Sequence, residues 1–446
     1  MSTARPLRED LITQAALEAY GPIRHEGRPA DLALDRTLRS KRALHSRERR
    51  VVSERIYALL RRQIAVDFLL EKERAAFLAL PSSQQDLLRL AAIRSLLGEP
   101  AAAVAAQMRL SKEDAAALAR LPEAERQIAS LEPRRRFAVL HSLPEFLAAR
   151  FAAEFGEDAD RAAEAMNERA PLTARVNTLK SSRETLLTSL RSEAILCRPT
   201  PLSPLGVILE SRPNAFSLRA FKQGQLELQD EGSQLLGMLV DPPPKIVVDA
   251  CAGAGGKTLQ LAAAMKNRGE LYAFDVSERR LEELRKRARR AGVYNVRIRP
   301  TVSGEEARAA GADLIGRAHR VLVDAPCSGS GALRRNPDAR YRLTAEEVRA
   351  HAERQKRLLS AFAELVRPGG RLVYGTCSVL REENEEVVED FLRRRPDFTL
   401  LPIAEVLGDE LARRLVRDGY LRLAPHLHGT DGFFGAALQR SVADHS

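Results

Sequence analysis

The sequence predicts a multidomain α plus α/β fold: an all-helical N-terminal domain, a small mixed α/β domain and a C-terminal domain built on a parallel sheet. The length of 446 residues is typical of two or three domains. Leu, Ala, Arg and Glu dominate residues 8 to about 140, where apolar residues recur at three- and four-residue steps. From Lys245 onward, short apolar runs alternate with helical stretches, which indicates parallel strands joined by helices. We expect the domains at residues 5–140, 141–235 and 236–440.

The N-terminal helices are indicated by the spacing of their apolar residues and by prolines. One apolar stripe would lie on a single helix face, and it consists of Ile56, Leu59, Leu60, Ile64 and Phe68. A proline lacks the backbone N–H that a helix interior requires. Four prolines are therefore predicted to mark helix ends, namely Pro81, Pro100, Pro122 and Pro133.

The two later domains have recognisable strands and helices. In the small domain, residues 174–179 and 206–209 are predicted strands and residues 182–193 a helix. In the C-terminal domain, the predicted strands are 246–248, 271–274, 321–323 and 371–374, and a helix is predicted at 344–366. Thr344 and Glu347 have the spacing of a capping box at the start of that helix.

Composition narrows the class of protein. Hydrophobic residues make up 44% and charged residues 29%, which is typical of a soluble globular chain. The sequence contains no apolar run near the roughly 20 residues of a membrane helix. Residues 1–10 lack the apolar core of a signal peptide. We therefore expect a cytoplasmic protein without membrane association.

The chain is strongly basic, with a formal net charge of +11 and a pI near 9.8. Such an excess favours a polyanionic partner, and nucleic acid is the commonest polyanion in the cytoplasm. A solvated helix face is the alternative explanation for the densest basic run, which consists of Lys41, Arg42, Arg47, Arg49 and Arg50.

A glycine-rich turn follows the first strand of the C-terminal domain and opens a helix. Glycines let a backbone turn sharply and approach a ligand closely, and ligands of open α/β sheets lie at the carboxyl ends of strands. The spacing matches neither the phosphate loop nor the full dinucleotide fingerprint. The candidate ligand-binding residues of this turn are Asp249, Cys251, Ala252, Gly253, Ala254, Gly255, Gly256 and Lys257.

Asp275 ends the second strand of this domain. A carboxylate at that position can accept hydrogen bonds from both ribose hydroxyls of an adenosyl ligand. The alternative is a helix cap, because residues 276–290 are predicted to be helical and Asp favours that position. The order of strand, glycine turn and acid favours the ribose role.

The chain has four cysteines and no C-x-x-C pair, which argues against a zinc site and against a disulfide framework. Two of them follow predicted strands: Cys327 in Asp-Ala-Pro-Cys, and Cys377 in Thr-Cys-Ser. Both loops therefore lie at the ligand-binding edge of the sheet. A purely structural cysteine is expected inside a strand or helix, so this placement favours a functional role.

These motifs resemble the RsmB/Nop2/Sun family of RNA (cytosine-5) methyltransferases. The Asp-Ala-Pro-Cys and Thr-Cys-Ser pair is specific to that family. The resemblance covers most of the chain, and the N-terminal region is similar, more loosely, to the NusB-like domain of the bacterial RsmB members. Further matching segments are residues 175–180, 228–234, 334–338 and 430–434.

The resemblance implies a Rossmann-like class I methyltransferase domain that uses S-adenosylmethionine and acts on bacterial small-subunit ribosomal RNA. It implies that the Cys377 thiolate attacks cytosine C6 and that Cys327 assists release of the product. Asp324 would hydrogen-bond the cytosine edge, and Lys257 would reach into the same pocket. Asp324 and Pro326 would also border the cofactor. We expect a monomer.

Two departures from the family pattern matter. The family turn usually reads Cys-Ala-Ala-Pro-Gly-Gly-Lys-Thr, whereas Gly253 and Ala254 stand here in place of Ala-Pro. The third strand region, residues 296–303, lacks the acid or amide that often meets the adenine amino group, so the adenine contact is left unassigned. Cys251 matches a family cysteine and is interpreted as a packing residue.

Candidate RNA contacts follow the first cysteine loop. Arg334, Arg335 and Asn336 could hold phosphates beside the target base, and an exposed basic loop is the alternative. Arg175 and Asn177 are assigned to RNA binding by resemblance alone. A cytosine must be unpaired or extruded to reach Cys377.

Two rival functions remain open. In a DNA cytosine methyltransferase the Pro-Cys cysteine would be the nucleophile, and the Thr-Cys-Ser loop argues against this class. The chain could also be an RNA-binding ribosome-assembly factor without turnover, although all predicted catalytic groups are present. Methylation assays on matched RNA and DNA would separate these functions.

Overall fold

The computed structural model describes residues 6–301 and 307–442. The chain divides into two compact units. The first comprises the residues up to Glu168 together with the segment Leu333–Thr344. The second comprises Arg169–Ala332 and the residues from Ala345 onward. The first unit therefore extends beyond residue 140, where we expected the helical domain to end.

The first unit is helical over its described residues. The predicted apolar stripe lies on α3, where Ile56, Leu59 and Leu60 are buried and Ile64 and Phe68 are half-buried. Its helices are α1 (Glu9–Glu26), α2 (Ala30–Ser40), α3 (Ser46–Glu73), α4 (Ser82–Leu96), α5 (Ala101–Gln107), α6 (Lys112–Arg126), α7 (Pro133–Leu140), α8 (Glu145–Phe155) and α9 (Ala159–Asn167).

Three of the four prolines lie at helix termini as predicted, in each case at the N-terminus. Pro81 and Pro100 directly precede α4 and α5, and Pro133 is the first residue of α7. The prediction for Pro122 was wrong, because this residue lies inside α6. The loss of one helical hydrogen bond is offset there by the buried apolar face of α6, which includes Leu121.

The segment Leu333–Thr344 is held by the helices of the first unit. The backbone N–H of Ala30 donates to the Asp338 carboxylate at 3.2 Å. The Tyr341 hydroxyl donates to the Leu60 carbonyl at 2.6 Å. The Arg340 side chain is 0% exposed and donates to Asn167 Oδ1 at 2.7 Å. A stretch that continues from the first cysteine loop is therefore part of the helical unit.

The second unit begins with a small antiparallel sheet. Its strands are β1 (Thr173–Val176), β2 (Cys197–Pro199), β3 (Gly206–Leu209) and β4 (Leu226–Leu228), in the spatial order β2-β3-β1-β4. Two helices accompany them, α10 (Arg183–Ser192) and α11 (Arg219–Lys222). The helix predicted at 182–193 and the strand predicted at 206–209 are confirmed, whereas the strand predicted at 174–179 ends at Val176, before a turn.

The rest of the second unit is a larger mixed sheet. Each strand predicted for this domain lies within an observed strand, because apolar runs of this kind suit strands buried on both faces. The strands are β5 (Ile246–Asp249), β6 (Glu270–Asp275), β7 (Val296–Pro300), β8 (Ala318–Asp324), β9 (Val366–Thr376), β10 (Phe398–Leu400), β11 (Val416–Arg417), β12 (Tyr420–Leu423) and β13 (Phe433–Arg440).

In the described part of the chain, these strands follow the spatial order β11-β12-β13-β9-β8-β5-β6-β7, and β10 also pairs with β13. The strands from β5 to β9 pair in parallel as predicted, whereas β10 to β13 add antiparallel pairs. The accompanying helices are α12 (Glu231–Met238), α13 (Gly256–Ala264), α14 (Glu278–Ala291), α15 (Ala307–Ala310), α16 (Ala345–Ala363), α17 (Glu385–Arg394), α18 (Ala404–Leu407), α19 (Asp409–Leu415) and α20 (Pro425–His428). Within residues 6–301 and 307–442, the helices are too short or too polar to cross a membrane.

Candidate active site

The two cysteine loops meet because of the register of two parallel strands. Asp324, the last residue of β8, pairs with Gly375 near the end of β9. Parallel strands deliver the loops that follow them to the same edge of a sheet. Cys327 and Cys377 come three and two residues after this pair, and their sulfur atoms lie 3.4 Å apart.

The environment of Cys327 favours the protonated form of its thiol. The hydrogen bond with Cys377, reinforced by burial, raises the pKa of the Cys327 thiol well above its ordinary value. One proton can therefore be shared across the 3.4 Å that separates the two sulfurs.

A lysine and an aspartate form an ion pair at the base of the Cys327 loop. Lys257 lies in the first turn of α13, and its Nζ donates to Asp324 Oδ2 at 2.7 Å. The Lys257 side chain is 9% exposed and that of Asp324 is 28% exposed, so the carboxylate is the more accessible partner. The ammonium also lies 5.4 Å from the centre of the Phe433 ring. The pair thus presents one partly open carboxylate beside the cysteines.

The glycine turn joins β5 to α13 through two left-handed residues. Gly253 and Gly255 have φ angles of 53° and 93°, which residues with a Cβ rarely adopt. A Cβ on Gly255 would also lie 2.3 Å from the Leu284 side chain. Around Gly253 and Gly256, by contrast, a Cβ would meet no described atom within 4 Å. The turn therefore exposes its backbone to open space at the ligand-binding edge.

Asp249 and Asp275 end the two strands beside this turn. Asp249 is buried, and its Oδ2 accepts a hydrogen bond from the Thr258 hydroxyl at 2.7 Å. Burial raises the pKa of Asp249 to about 7. Asp275 Oδ2 accepts from the Gly253 N–H at 2.9 Å and Oδ1 from the Ser277 N–H at 2.7 Å. Both carboxylates therefore shape the turn.

The alternative role of Asp275 as a helix cap is not what the structure shows. Helix α14 begins after Ser277, whose hydroxyl accepts the hydrogen bond from the Arg280 N–H. Asp275 instead connects the end of β6 to the glycine turn. Its position beside the turn leaves the ribose role open.

Cys251 is the third cysteine that follows a strand of this sheet. Its side chain packs against the apolar core of the sheet, and burial raises the pKa of its thiol well above the usual value. This environment suits the interpretation of Cys251 as a packing residue.

In the region where the adenine contact was unassigned, β7 ends at Pro300, and residues 302 and 303 lie outside the described residues.

Arg175 and Asn177 are buried, which argues against the direct RNA contacts expected for them. Arg175 is 1% exposed and donates to Gln229 Oε1 at 2.6 Å. The Asn177 amide donates to the carbonyls of Gly224 and Ala291, at 2.8 Å each. Both side chains join the small sheet to neighbouring loops, so their partners are protein groups.

The candidate RNA residues after the Cys327 loop are divided between the interior and the surface. Arg334 is buried in the helical unit, and its carbonyl accepts from Arg61 at 3.0 Å. Arg335 is half-buried and Asn336 is exposed. Arg335 and Asn336 thus keep surface that RNA could reach, whereas burial argues against a phosphate contact by Arg334.

Sequence reasoning missed the side chains that connect the site loops. Arg287 of α14 donates to the Ala254 carbonyl at 2.8 Å and to Glu227 at 2.9 Å, so it fixes the glycine turn. Glu383 and Gln355 contact the cysteine loops. An amphipathic helix predicts which face is buried, and that signal could have found Gln355 in α16. Glu383 belongs to a run of acids, where spacing alone does not reveal the buried one.

Comparison with known proteins places this chain in a protein family. Residues 238–439 match the family described as 16S rRNA methyltransferase RsmB/F, and residues 143–215 match a ferredoxin-like domain of RsmF/B-like methyltransferases. A relative from Synechocystis, named a probable ribosomal RNA small subunit methyltransferase B, is 31% identical over 92% of this chain and 95% of its own length. A relative of the same name from Bacillus subtilis is 35% identical over 69% of each chain. The solved structure of a methyltransferase homologue from Pyrococcus horikoshii is 32% identical, with a TM-score of 0.59, over 70% of this chain and all of that one.

Proposed function

The chain belongs to the RsmB/F family of 16S rRNA methyltransferases, and from this premise we propose that it methylates C5 of a cytosine in 16S ribosomal RNA, with S-adenosylmethionine as the methyl donor. The observation that supports the cytosine-5 chemistry is the 3.4 Å separation of the Cys327 and Cys377 sulfurs. Cytosine C5 and C6 are bonded neighbours, so two sulfurs this close can serve one ring.

The Cys377 sulfur bonds to C6. The electron pair of the C5–C6 double bond moves to the C4–C5 bond, and the resulting enamine makes C5 nucleophilic. C5 would then take up the methyl group that a bound cofactor supplies. The C5 proton leaves to solvent water, the C5–C6 double bond re-forms, and the C6–sulfur bond breaks, which returns the electron pair to the Cys377 sulfur. Cys327 assists this release, for which its position beside Cys377 is suited.

Asp324 and Lys257 stabilise the charge that develops during the addition. The partly exposed Asp324 carboxylate accepts a hydrogen bond from the cytosine N4 amino group and favours the protonated N3 edge. Lys257 orients this carboxylate through their 2.7 Å contact. Addition at C6 is easier when the ring can hold this charge.

The residues at the glycine turn fit an adenosyl cofactor. The open space beside Gly253 and Gly256 admits a ligand close to the backbone, and Asp275, which accepts from the Gly253 N–H, would bind the ribose. The cofactor supplies an electrophilic methyl group. The residues of the turn bind and orient it at the edge where the two cysteines meet.

The substrate is RNA that offers an unpaired or extruded cytosine. The net charge of +11 favours binding to phosphates, and exposed Asn336 and half-buried Arg335 are candidate contacts. A NusB-like RNA-binding role for the helical unit, action as a monomer and a cytoplasmic site of action are parts of this proposal.

The test is methyl transfer from tritiated S-adenosylmethionine to an unmodified 16S rRNA transcript, followed by bisulfite sequencing of the product. We expect labelled RNA with one or more cytosines protected from bisulfite conversion. Labelling without protection would contradict the C5 assignment. Binding without labelling would indicate an assembly factor, and faster transfer to matched DNA would indicate the DNA class.

The same assay tests the nucleophile. Replacement of Cys377 by Ala removes the sulfur that attacks C6, so we expect the labelling to fall to background. The variant should still bind the cofactor, which isothermal titration calorimetry would check. Substantial methyl transfer by Cys377→Ala would refute the covalent route.

A further inference from the structure

A fully buried carboxylate joins the two cysteine loops. Glu383 ends a short helical turn after β9, and its side chain is 0% exposed. Its Oε1 accepts hydrogen bonds from the Ser328 N–H at 2.8 Å and from the Gln355 amide at 3.0 Å. Its Oε2 accepts from the hydroxyls of Ser328 and Ser378, the latter at 2.6 Å. Ser328 follows Cys327, and Ser378 follows Cys377.

The hydrogen-bond partners of Glu383 require its Oε1 to accept and allow its Oε2 to accept as well. A backbone N–H and a side-chain amide can only donate towards Oε1. The Ser378 oxygen already accepts from the Leu380 N–H at 3.1 Å, so its own proton is available for Oε2. The carboxylate thus makes charge-assisted bonds to both loops, which are stronger than bonds between neutral groups.

The two loops depend on this carboxylate to different degrees. Cys377 directly follows β9, and Thr376 at the end of that strand pairs with Phe434 of β13. The backbone ladder thus carries Cys377 to its position. Cys327 lies outside the strands, after Pro326, whose carbonyl accepts from Gln355 at 2.9 Å. Backbone hydrogen bonds hold this loop on either side, from the Ala325 N–H to the Gly375 carbonyl and from the Gly331 N–H to the Cys377 carbonyl, at 2.9 Å each. Between these two points the Cys327 loop is held by side chains, whereas the sheet itself leads directly to Cys377.

We propose that Glu383 is a positioning residue, which holds the Cys327 loop against the Cys377 loop so that both sulfurs reach neighbouring carbons of one pyrimidine. This inference rests on the proposed function. Glu383 bonds to Ser328, the residue after Cys327, and so acts on the reaction through the position of Cys327. Because Cys327 assists release of the product, release is the step that depends on Glu383. Attack by Cys377 depends on it less.

The conservative variant Glu383→Gln tests this role. An amide has one acceptor oxygen and one donor group, so it cannot accept at both positions. The Gln oxygen can replace Oε1, while the NH₂ group faces the hydroxyls of Ser328 and Ser378. The loop loses its charge-assisted bonds and Cys327 shifts from the sulfur of Cys377. We expect product release to slow by about tenfold or more, with a smaller change in the rate of attack.

The readout is the covalent RNA–enzyme adduct, measured on a denaturing gel during methylation of the 16S rRNA transcript, together with turnover. Glu383→Gln should accumulate adduct as turnover falls, and a merely destabilised protein would lose both. Ser328→Ala, which removes a single bond to the same carboxylate, should show a weaker form of the same pattern. It also serves as the test if Glu383→Gln does not fold.

Glu385→Gln is the matched control. Glu385 is also buried, at 3% exposed, but its carboxylate accepts from Arg422 at 2.6 Å and is not bonded to either cysteine loop among the described contacts. The same substitution two residues away should lower the melting temperature without adduct accumulation. Adduct accumulation in both variants would contradict the inference, because it would reflect general loosening of the site.

A double variant separates this inference from the proposed function. If Glu383 acts through Cys327, then the double variant Cys327→Ala with Glu383→Gln should release product as slowly as Cys327→Ala alone. If the two residues act independently, the effects of the two substitutions on release should add. Adduct in Cys327→Ala but none in Glu383→Gln would overturn the role of Glu383 and leave the mechanism intact. Absence of adduct in Cys327→Ala would instead refute the mechanism itself.

Discussion

Two neighbouring strands end in almost the same residues and yet form different environments. Strand β5 ends in Asp249, followed by Ala and Cys251, and β8 ends in Asp324, followed by Ala, Pro and Cys327. Asp249 is buried against a hydroxyl, whereas Asp324 is partly open and paired with Lys257. The local sequence brings an acid and a cysteine to the sheet edge in both cases. The groups supplied by other elements decide which pair can do chemistry.

The cysteines provide the largest expected contrast between the two strand ends. Cys327 touches the nucleophile, so Cys327→Ala should leave the attack intact, block release and trap a covalent RNA adduct through Cys377. Cys251 packs into the core, so Cys251→Ala should trap no adduct. Denaturing gels of both variants with 16S rRNA transcript provide the comparison. Normal turnover by Cys327→Ala would contradict the predicted contrast between Cys327 and Cys251.

The sequence predicted this part of the site because the topology leaves few choices. Once β8 and β9 are taken as parallel strands of one sheet, the loops after Asp324 and Gly375 must meet at one edge. Which side chains then touch depends on packing, and only the structure shows that Cys327 contacts Cys377 while Cys251 faces the core.

The arginines could not be assigned in the same way. A guanidinium in a basic sequence suggests phosphate binding, but Arg175 is buried and donates to Gln229, a residue far away in sequence. Arg334 lies in a segment that belongs to the helical unit, although its flanks belong to the other unit. Spacing along the chain carries no signal for either arrangement, since the partners come from distant elements.

The aspartates provide the second contrast. Asp324→Asn removes the charge that Lys257 holds in place and leaves a buried ammonium without this partner. We expect methyl transfer to slow by roughly 10²-fold or more, the range of positioned acid–base groups. Single-turnover rates with saturating cofactor would measure it, because they exclude product release. A rate within about twofold of the wild type would show that Asp324 has no part in the addition.

The smallest expected effect concerns stability at the β5 end. Burial raises the pKa of Asp249 to about 7, above the ordinary value of 3.8, so the folded state favours the neutral carboxyl. The unfolded chain ionises first, near its lower pKa, and the folded carboxyl ionises only near 7. Ionisation of Asp249 therefore costs stability progressively as the pH rises between these values, and the cost levels off above about 7.

Asp249→Asn removes this titration while keeping the shape of the side chain. The difference between the melting temperatures of the variant and the wild type should shift in favour of the variant from pH 5 to pH 7, and then remain constant up to pH 8.5. Differential scanning calorimetry without cofactor would measure it, with Asp324→Asn as the control at the other strand end. A difference that does not change with pH would mean that Asp249 stays ionised in the folded protein. The contrast between the two strand ends would then rest on the cysteines alone.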